Sequence, residues 1–442
     1  MTLAPAVTTP LLRAGPAPPP AAMADVRRRM VLNGCKWDPQ VGDVATLAPF
    51  PLLLSAETWA DLAADAEALA AEQLAAERAL VSRPDLHRRL GLPRRLRRAF
   101  RELADGQATP EAARILRFDF HPTPDGWRVS ECNADVPGGF TEASLFPRLV
   151  AEHAGGRPLA DVTAAWVDAL AVGARRAARG GGVAEGAAAD ADAAEVGGAG
   201  PLRVALLAAP GFMEDRQIVE LLAREFRRRG HVTWPAEPRL IDATTPIVRL
   251  RSSAYDGPVD LVVRFFQGEW LARLPRRHWH RLLVGGRTPV ANGPAAILGE
   301  SKRLPLLWDA LGVAAPTWRR LLPETRDPRD MPWRADDAWL LKSAYCNNGD
   351  DVAHPAVVGR KAWRSAAWRA TLRPTAWLAQ RRFESVPVET PAGPMHACVG
   401  VYVIDGRACG AYGRLSPGPV IDYRAVDVAV LLDGAAGPEV PR

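Results

Sequence analysis

Two neighbouring stretches of this chain alternate apolar and polar residues in the manner of strands. In the first, Leu116, Phe118 and Phe120 fall on one side and Ile115, Arg117 and Asp119 on the other. A period of two is that of a half-buried strand. The second, Glu131-Cys132-Asn133-Ala134-Asp135, follows His121-Pro122-Thr123-Pro124-Asp125-Gly126, a segment dense in turn formers. An antiparallel hairpin closed there sets Arg117 opposite Glu131 and Ile115 opposite Asn133. Parity then gathers Arg117, Asp119, Glu131 and Asn133 on one face.

Helical periods occupy much of the rest. Ser55 is a suitable N-cap, and Trp59 to Leu80 is built from Ala, Glu and Leu, all strong helix formers. Arg94 to Leu103, Thr141 to Val150 and residues 160–178 read as further helices. From Pro201 the rhythm changes. Val204 to Leu207 is a buried-strand run, Glu214 to Arg229 an amphipathic helix stopped by Gly230, and His231 to Trp234 a strand again. That is a βαβ unit of the doubly wound kind, extended by the strand Asp260 to Phe265 and lacking GxGxxG. Ala295 to Leu311 reads as a helix carrying Ser301-Lys302, and Trp339 to Lys342 and Ala376 to Gln380 as strands. His396 to Ile404 and Cys409 to Arg414 form a hairpin around Asp405-Gly406.

These patterns divide the chain into six parts. Residues 1–30 are a disordered Pro/Ala-rich tail; 31–172 hold helices and the first hairpin; 173–200 form a low-complexity linker or insertion. Residues 201–292 are the α/β unit, 293–431 a mixed region, and 432–442 a frayed tail. The class is α+β.

Composition narrows the function. The apolar fraction of 48% is that of a globular protein, and 56 basic residues against 50 acidic ones leave a mild net charge of +6. Arg94-Arg95-Leu96-Arg97-Arg98 lacks interleaved aromatics or glycines, so it reads as a solvated face or an anion-attracting rim, and nucleic acid is not an expected partner. No stretch reaches the ~20 apolar residues of a membrane span. Cys35, Cys132, Cys346, Cys398 and Cys409 never form CxxC, which speaks against a disulfide framework and for a cytoplasmic location.

The chemistry lies in residue types. Two carboxylates with an amide oxygen are a hard-oxygen set suited to Mg²⁺, which leaves its other positions to water and phosphate. Arg117 beside them can grip phosphate or a developing negative charge. The bland reading of the same hairpin is a surface ion pair. Lys342 ends an apolar strand and precedes a polar turn through Gly349, an arrangement that can bring an ammonium and backbone N–H groups to a polyphosphate. Lys302, Gln380 and Arg414 could serve a second phosphate contact, a nucleobase edge and a terminal phosphate; each is as readily a solvated side chain. Together these types are the kit of ATP-dependent phosphoryl transfer.

Arg117-x-Asp119 followed by Glu131-x-Asn133-Ala134-Asp135 resembles the signature of the glutathionylspermidine synthase family, the circularly permuted ATP-grasp ligases. Ser301-Lys302, Leu341-Lys342, Gln380 and Val401-Tyr402-Val403-Ile404-Asp405-Gly406 with Gly413-Arg414 resemble the rest of that ATP-binding apparatus. The resemblance implies an ATP-grasp fold with the metal-binding hairpin in 31–172, a pre-ATP-grasp α/β domain over 201–292 and the ATP-grasp nucleotide-binding domain over 293–431. It implies Mg²⁺ on Asp119, Glu131 and Asn133, and Arg117 at the acyl-phosphate or its tetrahedral successor. It further implies ATP held by Lys302, Lys342, Gly349, Gln380 and Arg414, with Arg414 at the terminal phosphate. The reaction so implied joins a small-molecule carboxylate to an amine. The turn Tyr345-Cys346-Asn347-Asn348-Gly349 departs from the family's glycine- and arginine-rich form, which leaves a non-catalytic ATP-binding scaffold as the alternative. The first hundred residues lack a Cys/His nucleophile pair, so no amidase activity is expected.

Overall fold

Helix formation starts earlier than composition suggests. The computed structural model describes residues 11–41, 44–180, 200–334, 336–345, 352–422 and 424–434. Within them Pro20–Gly34 is helix α1, with Pro20 in the first turn, where a missing N–H costs nothing. Met23, Val26 and Met30 line its buried face and pack on Phe146, Leu149 and Val150. That burial overrides the disorder expected over residues 20–30, while residues 1–10 of the expected tail lie outside the described residues. Helix α2, Ala56–Val81, begins as expected: the Ser55 hydroxyl accepts the Thr58 N–H at 3.0 Å. Helix α3 is Arg94–Asp105.

Strands β1 (Ile115–Thr123) and β2 (Gly126–Asn133) form the hairpin, in a different register from the expected one. Arg117 pairs with Asn133 and Asp119 with Glu131, two residues from the register read off the sequence. The turn itself pairs Thr123 with Gly126. A regular ladder from that turn would place Cys132, not Asn133, opposite Arg117 and drive Glu131 and Asn133 into the core. An irregularity between Asp119 and Phe120 takes up one extra residue, Ser130, and restores the shared face. Helix α4 (Phe140–Ala154) follows, then α5 (Val162–Gly180), which occupies the first part of the expected linker. The remainder of that stretch, 181–199, lies outside the described residues.

The α/β unit is doubly wound. Strand β3 (Arg203–Ala208), helix α6 (Met213–Arg228) and strands β4 (Val232–Ala236), β5 (Leu261–Phe265) and β6 (Val290–Ala291) make a parallel sheet of order β6-β5-β3-β4. The single helix expected from Ala295 to Leu311 is interrupted. Helix α7 covers only Pro294–Gly299, and a 3-10 turn at Leu304–Leu307 follows. Between them the Ser301 hydroxyl binds the Leu90 carbonyl at 2.7 Å and the Lys302 N–H binds the Ala344 carbonyl at 3.0 Å. Pro305 then has no N–H to continue a ladder.

A small sheet of order β7-β10-β8-β9 comes next, from Thr325–Arg326 (β7), Trp339–Ser343 (β8), Val352–Ala353 (β9) and Trp377–Arg381 (β10), with helix α8 at Pro355–Leu372. Strands β11 (Pro387–Thr390), β12 (Gly393–Ile404), β13 (Arg407–Ser416) and β14 (Val426–Val428) complete the large sheet around the hairpin, in the order β14-β13-β12-β1-β2 with β11 also on β12. Asp405 and Gly406 turn at φ of 45° and 84°, the two positive values a type I′ turn demands. Leu116, Phe118 and Phe120 lie opposite Val403, Val401 and Val399 on the core face. Leu432, expected to fray, still pairs with Leu54 and Arg157 in a peripheral sheet. The whole is a mixed α+β protein with several sheets.

Candidate functional site

The polar face of the large sheet is built by register. Arg117 lies opposite Tyr402 and Asp119 opposite Gly400, while Tyr412 pairs with Gly400 and Arg414 with Cys398. Arg117 grips Asp119 with two hydrogen bonds, Nε to Oδ1 at 2.8 Å and Nη2 to Oδ2 at 3.0 Å. Its third arm donates to the Gly138 carbonyl at 2.9 Å, and its guanidinium lies 5.1 Å from the Tyr412 ring centre. Burial opposes the charge on Arg117, but Asp119 outweighs it and holds the pKa well above the usual arginine value. Asn133 donates to Asp119 Oδ2 at 3.1 Å. Gly400 leaves the space for this pair: a Cβ there would meet Arg117 Cδ at 2.8 Å and Asp119 Oδ1 at 2.9 Å.

The hairpin's end is fixed from below. The Asn292 side chain accepts from the Ile115 N–H at 3.0 Å and donates to the Asp135 carbonyl at 2.6 Å. Glu300 Oε2 accepts the Ala134 and Asp135 N–H groups at 2.7 and 2.8 Å. Asp135 is tied to Arg264 and to the Gly268 N–H, so this last residue of the motif is a structural anchor away from the open face. Burial pushes the Glu300 carboxyl up to about 8.

Glu131 meets two lysines. Lys302 Nζ lies 3.2 Å from Glu131 Oε2, and Lys342 Nζ donates to the Ser130 carbonyl at 3.0 Å. Burial would raise the Glu131 pKa; Lys302 and Lys342 outweigh it and bring it to about 2. His121 is the reverse case. Burial lowers its imidazole to about 4, so it stands neutral against Phe383, with Nε2 3.0 Å from the Ser130 hydroxyl.

Two cavities share this wall. A cavity of about 400 Å³, within the usual size of small-molecule sites, is bordered by Arg117, Asp119, Glu131, Asn133, Lys342 and Arg414. Apolar side chains, among them Val357, Phe383 and Ile421, border it as well. A second of about 30 Å³ is bordered by Lys302, Glu300, Gln380, Glu131 and Lys342. It has room for water but not for a nucleobase. Gln380, expected at an adenine edge, faces this smaller space and donates to Thr325 Oγ1 at 3.0 Å. Lys302 also borders the smaller cavity, with Glu131 between it and the larger one. Gly349 lies outside the described residues.

Asp119, Glu131 and Asn133 border one cavity, and a set of two carboxylates and an amide oxygen is of the type that fits Mg²⁺ shared with phosphate. Among the described residues no group of three or more His, Cys, Asp or Glu side chains is placed to hold a metal ion. Gly400 and Tyr412 were not singled out by sequence, and Tyr402 only within the run Val401 to Gly406 with no role of its own. A glycine within the apolar strand Val399 to Val403 signals a close approach; the tyrosines carry no such signal.

No protein-family model matches the chain, and no curated protein does. Among solved structures, a "Putative gamma-glutamylcysteine synthetase" from Methylobacillus flagellatus KT aligns over 77% of this chain and 84% of its own, with 11% identity and a TM-score of 0.40. A likeness this loose assigns neither a fold family nor an activity.

Proposed function

We propose that the protein is an ATP-dependent carboxylate–amine ligase with a circularly permuted ATP-grasp fold. The observation that carries this is one cavity bordered at once by Arg117, Asp119, Glu131, Asn133, Lys342 and Arg414. Those are the types that phosphoryl transfer needs, where positioning and charge neutralisation do most of the catalysis. A carboxylate oxygen of the first substrate attacks the γ-phosphorus, and the bond to the ADP oxygen breaks. The amine nitrogen then attacks the acyl carbon, phosphate leaves with the C–O electron pair, and the nitrogen loses a proton. Lys342 and Arg414 hold phosphate oxygens from opposite walls, and Lys302 adds charge through Glu131. Arg117, locked by Asp119, faces the negative charge that develops at the acyl carbon. Mg²⁺ held by Asp119, Glu131 and Asn133 would offset charge on the transferring group.

The test is ADP release that requires a carboxylate and an amine together, screened over mixed substrate pools. Asp119→Asn keeps the shape and a hydrogen-bond acceptor for Arg117; truncation to alanine would leave a buried guanidinium unpaired. Asp119→Asn is expected to lower ADP release roughly a hundredfold or more, as loss of electrostatic stabilisation does. Normal turnover by this variant overturns the assignment. A non-catalytic ATP-binding scaffold is the second reading. Its support is that Asp119 is already bonded to Arg117 and Asn133, and Glu131 to Lys302. Calorimetric binding of ATP with Mg²⁺ in the absence of any turnover would select it.

A further inference from the structure

Arg414 borders the large cavity at the limit of ion-pair distance from one carboxylate, Asp427, with no hydrogen bond to it. Its Nη2 donates to the backbone carbonyls of Asp422 and Ala425, at 3.0 and 3.3 Å. Its Nε is buried without a hydrogen-bond acceptor among the described residues. The nearest acid behind it is Asp427, whose Oδ1 stands 4.0 Å from Nε, beyond hydrogen-bond reach. Asp427 is engaged elsewhere. Its Oδ1 accepts the Tyr412 hydroxyl at 2.7 Å, and its Oδ2 lies 3.1 Å from Lys36 Nζ.

Lys36 is an unusual ammonium. Its side chain is only 10% exposed, and it touches Glu142 at 2.7 Å and Asp38 at 3.3 Å as well as Asp427. Burial favours the neutral amine, but Glu142, Asp427 and Asp38 outweigh it and keep the group charged. Its backbone is placed by the end of α1: Cys35 takes the left-handed conformation at φ of 56°, and the Lys36 N–H binds the Met30 carbonyl at 3.0 Å. Gly34 lets that loop lie on α4, since a Cβ there would meet the Thr141 methyl at 2.6 Å.

We infer that Lys36 is a positioning residue for the anion site: by neutralising Asp427 it keeps that carboxylate from drawing Arg414, which borders the cavity, out of its loose 4.0 Å pair into a hydrogen bond. The same contact reaches Arg117 through Tyr412, which binds Asp427 with its hydroxyl and faces Arg117 with its ring. Without the ammonium, Asp427 would keep one neutral donor, and Arg414 would be its nearest cation. The chain then acts through its N-terminal helix on a residue almost four hundred positions later. The binding part of this inference rests on the ligase reading; the geometric part does not.

The experiment has two arms. Crystal structures of the full chain and of Lys36→Met read the separation of Arg414 Nε and Asp427 Oδ1. The variant is expected to close it from 4.0 Å to a hydrogen bond, and an unmoved Arg414 overturns the inference whatever the protein binds. Calorimetry with Mg·ATP and with inorganic pyrophosphate reads the second arm. Lys36→Met is expected to weaken binding roughly tenfold, as loss of one charge-assisted contact does, and Lys36→Met with Asp427→Asn to recover to within about threefold of the parent. A double variant as weak as the single one overturns the inference, because a merely structural lysine would not be rescued. Should Lys36→Met not fold, Asp427→Asn alone decides: equal or tighter binding supports the inference and a tenfold loss overturns it. A parent that binds neither probe removes the nucleotide reading and leaves the crystallographic arm to stand alone.

Discussion

The two walls of the large cavity are built on opposite plans. On the large sheet the charged groups already answer one another: Arg117 with Asp119, Asp119 with Asn133, Tyr412 with Asp427, Asp427 with Lys36. On the small sheet, β8 presents Lys342 to a backbone carbonyl and to the field of Glu131, and Gln380 of β10 is occupied by a threonine. The first wall is preorganised, with its geometry set before any ligand arrives. The second presents one ammonium, Lys342, which donates to a backbone carbonyl and stands in the field of Glu131; an incoming phosphate would compete for that donor. A ligase needs both, since charge developing late in the reaction requires fixed partners and an incoming polyphosphate requires movable ones.

Breaking the preorganised wall should have the largest effect. Gly400→Ala forces a methyl group to within 3 Å of both Arg117 and Asp119. A loss of about 1–3 kcal/mol in urea unfolding is expected, together with near-complete loss of ADP release. A variant as active and as stable as the parent would mean that the pair is not held by close fit.

The movable wall should respond in binding rather than in folding. Lys342→Met is expected to raise the half-saturating ATP concentration roughly ten- to hundredfold while unfolding shifts by no more than about 1 kcal/mol. Initial rates against ATP, with a parallel melt, separate the two effects; a collapsed melt would place Lys342 with the rigid wall instead.

The small cavity is bordered by two carboxyls displaced in opposite directions, which sharpens the comparison by pH. Glu131 is held at about 2, below its ordinary 4.5, so it contributes stability that is present above pH 4.5 and lost as pH falls toward 2. Glu300 is raised from 4.5 to about 8, so its contribution is full below pH 4.5 and is lost as pH rises through 8. Denaturation midpoints across that range should show Glu131→Gln flattening the acid limb and Glu300→Gln the alkaline one. An unchanged acid limb in Glu131→Gln would show that the lysines do not govern that carboxyl.

The smallest effect lies outside both walls. Ser55→Ala removes the cap of α2 and should cost about 1 kcal/mol, with ADP release unchanged. A fall in activity would show that α2, packed beneath the large sheet, transmits strain to Arg117.

What sequence alone determined is local. Alternation of Phe118 and Phe120 with Arg117 and Asp119 set the strand and its two faces, because side-chain direction in a strand follows position. Ser55 marked a helix start and Asp405-Gly406 a turn, because each has its own backbone requirement. Tertiary structure decided the rest. The extra residue at Ser130 corrected the parity of Glu131 and Asn133, and a ladder irregularity has no composition of its own. Burial against α4 turned Pro20–Gly34 into a helix despite its tail-like residues. Decisive neighbours of Lys36 (Glu142, Asp427), of Glu300 (the Ala134 and Asp135 N–H groups) and of Gly400 (Arg117, Asp119) come from segments far away in the chain. Electrostatics and close packing depend on distance in space, and pattern along a chain reports only distance in sequence.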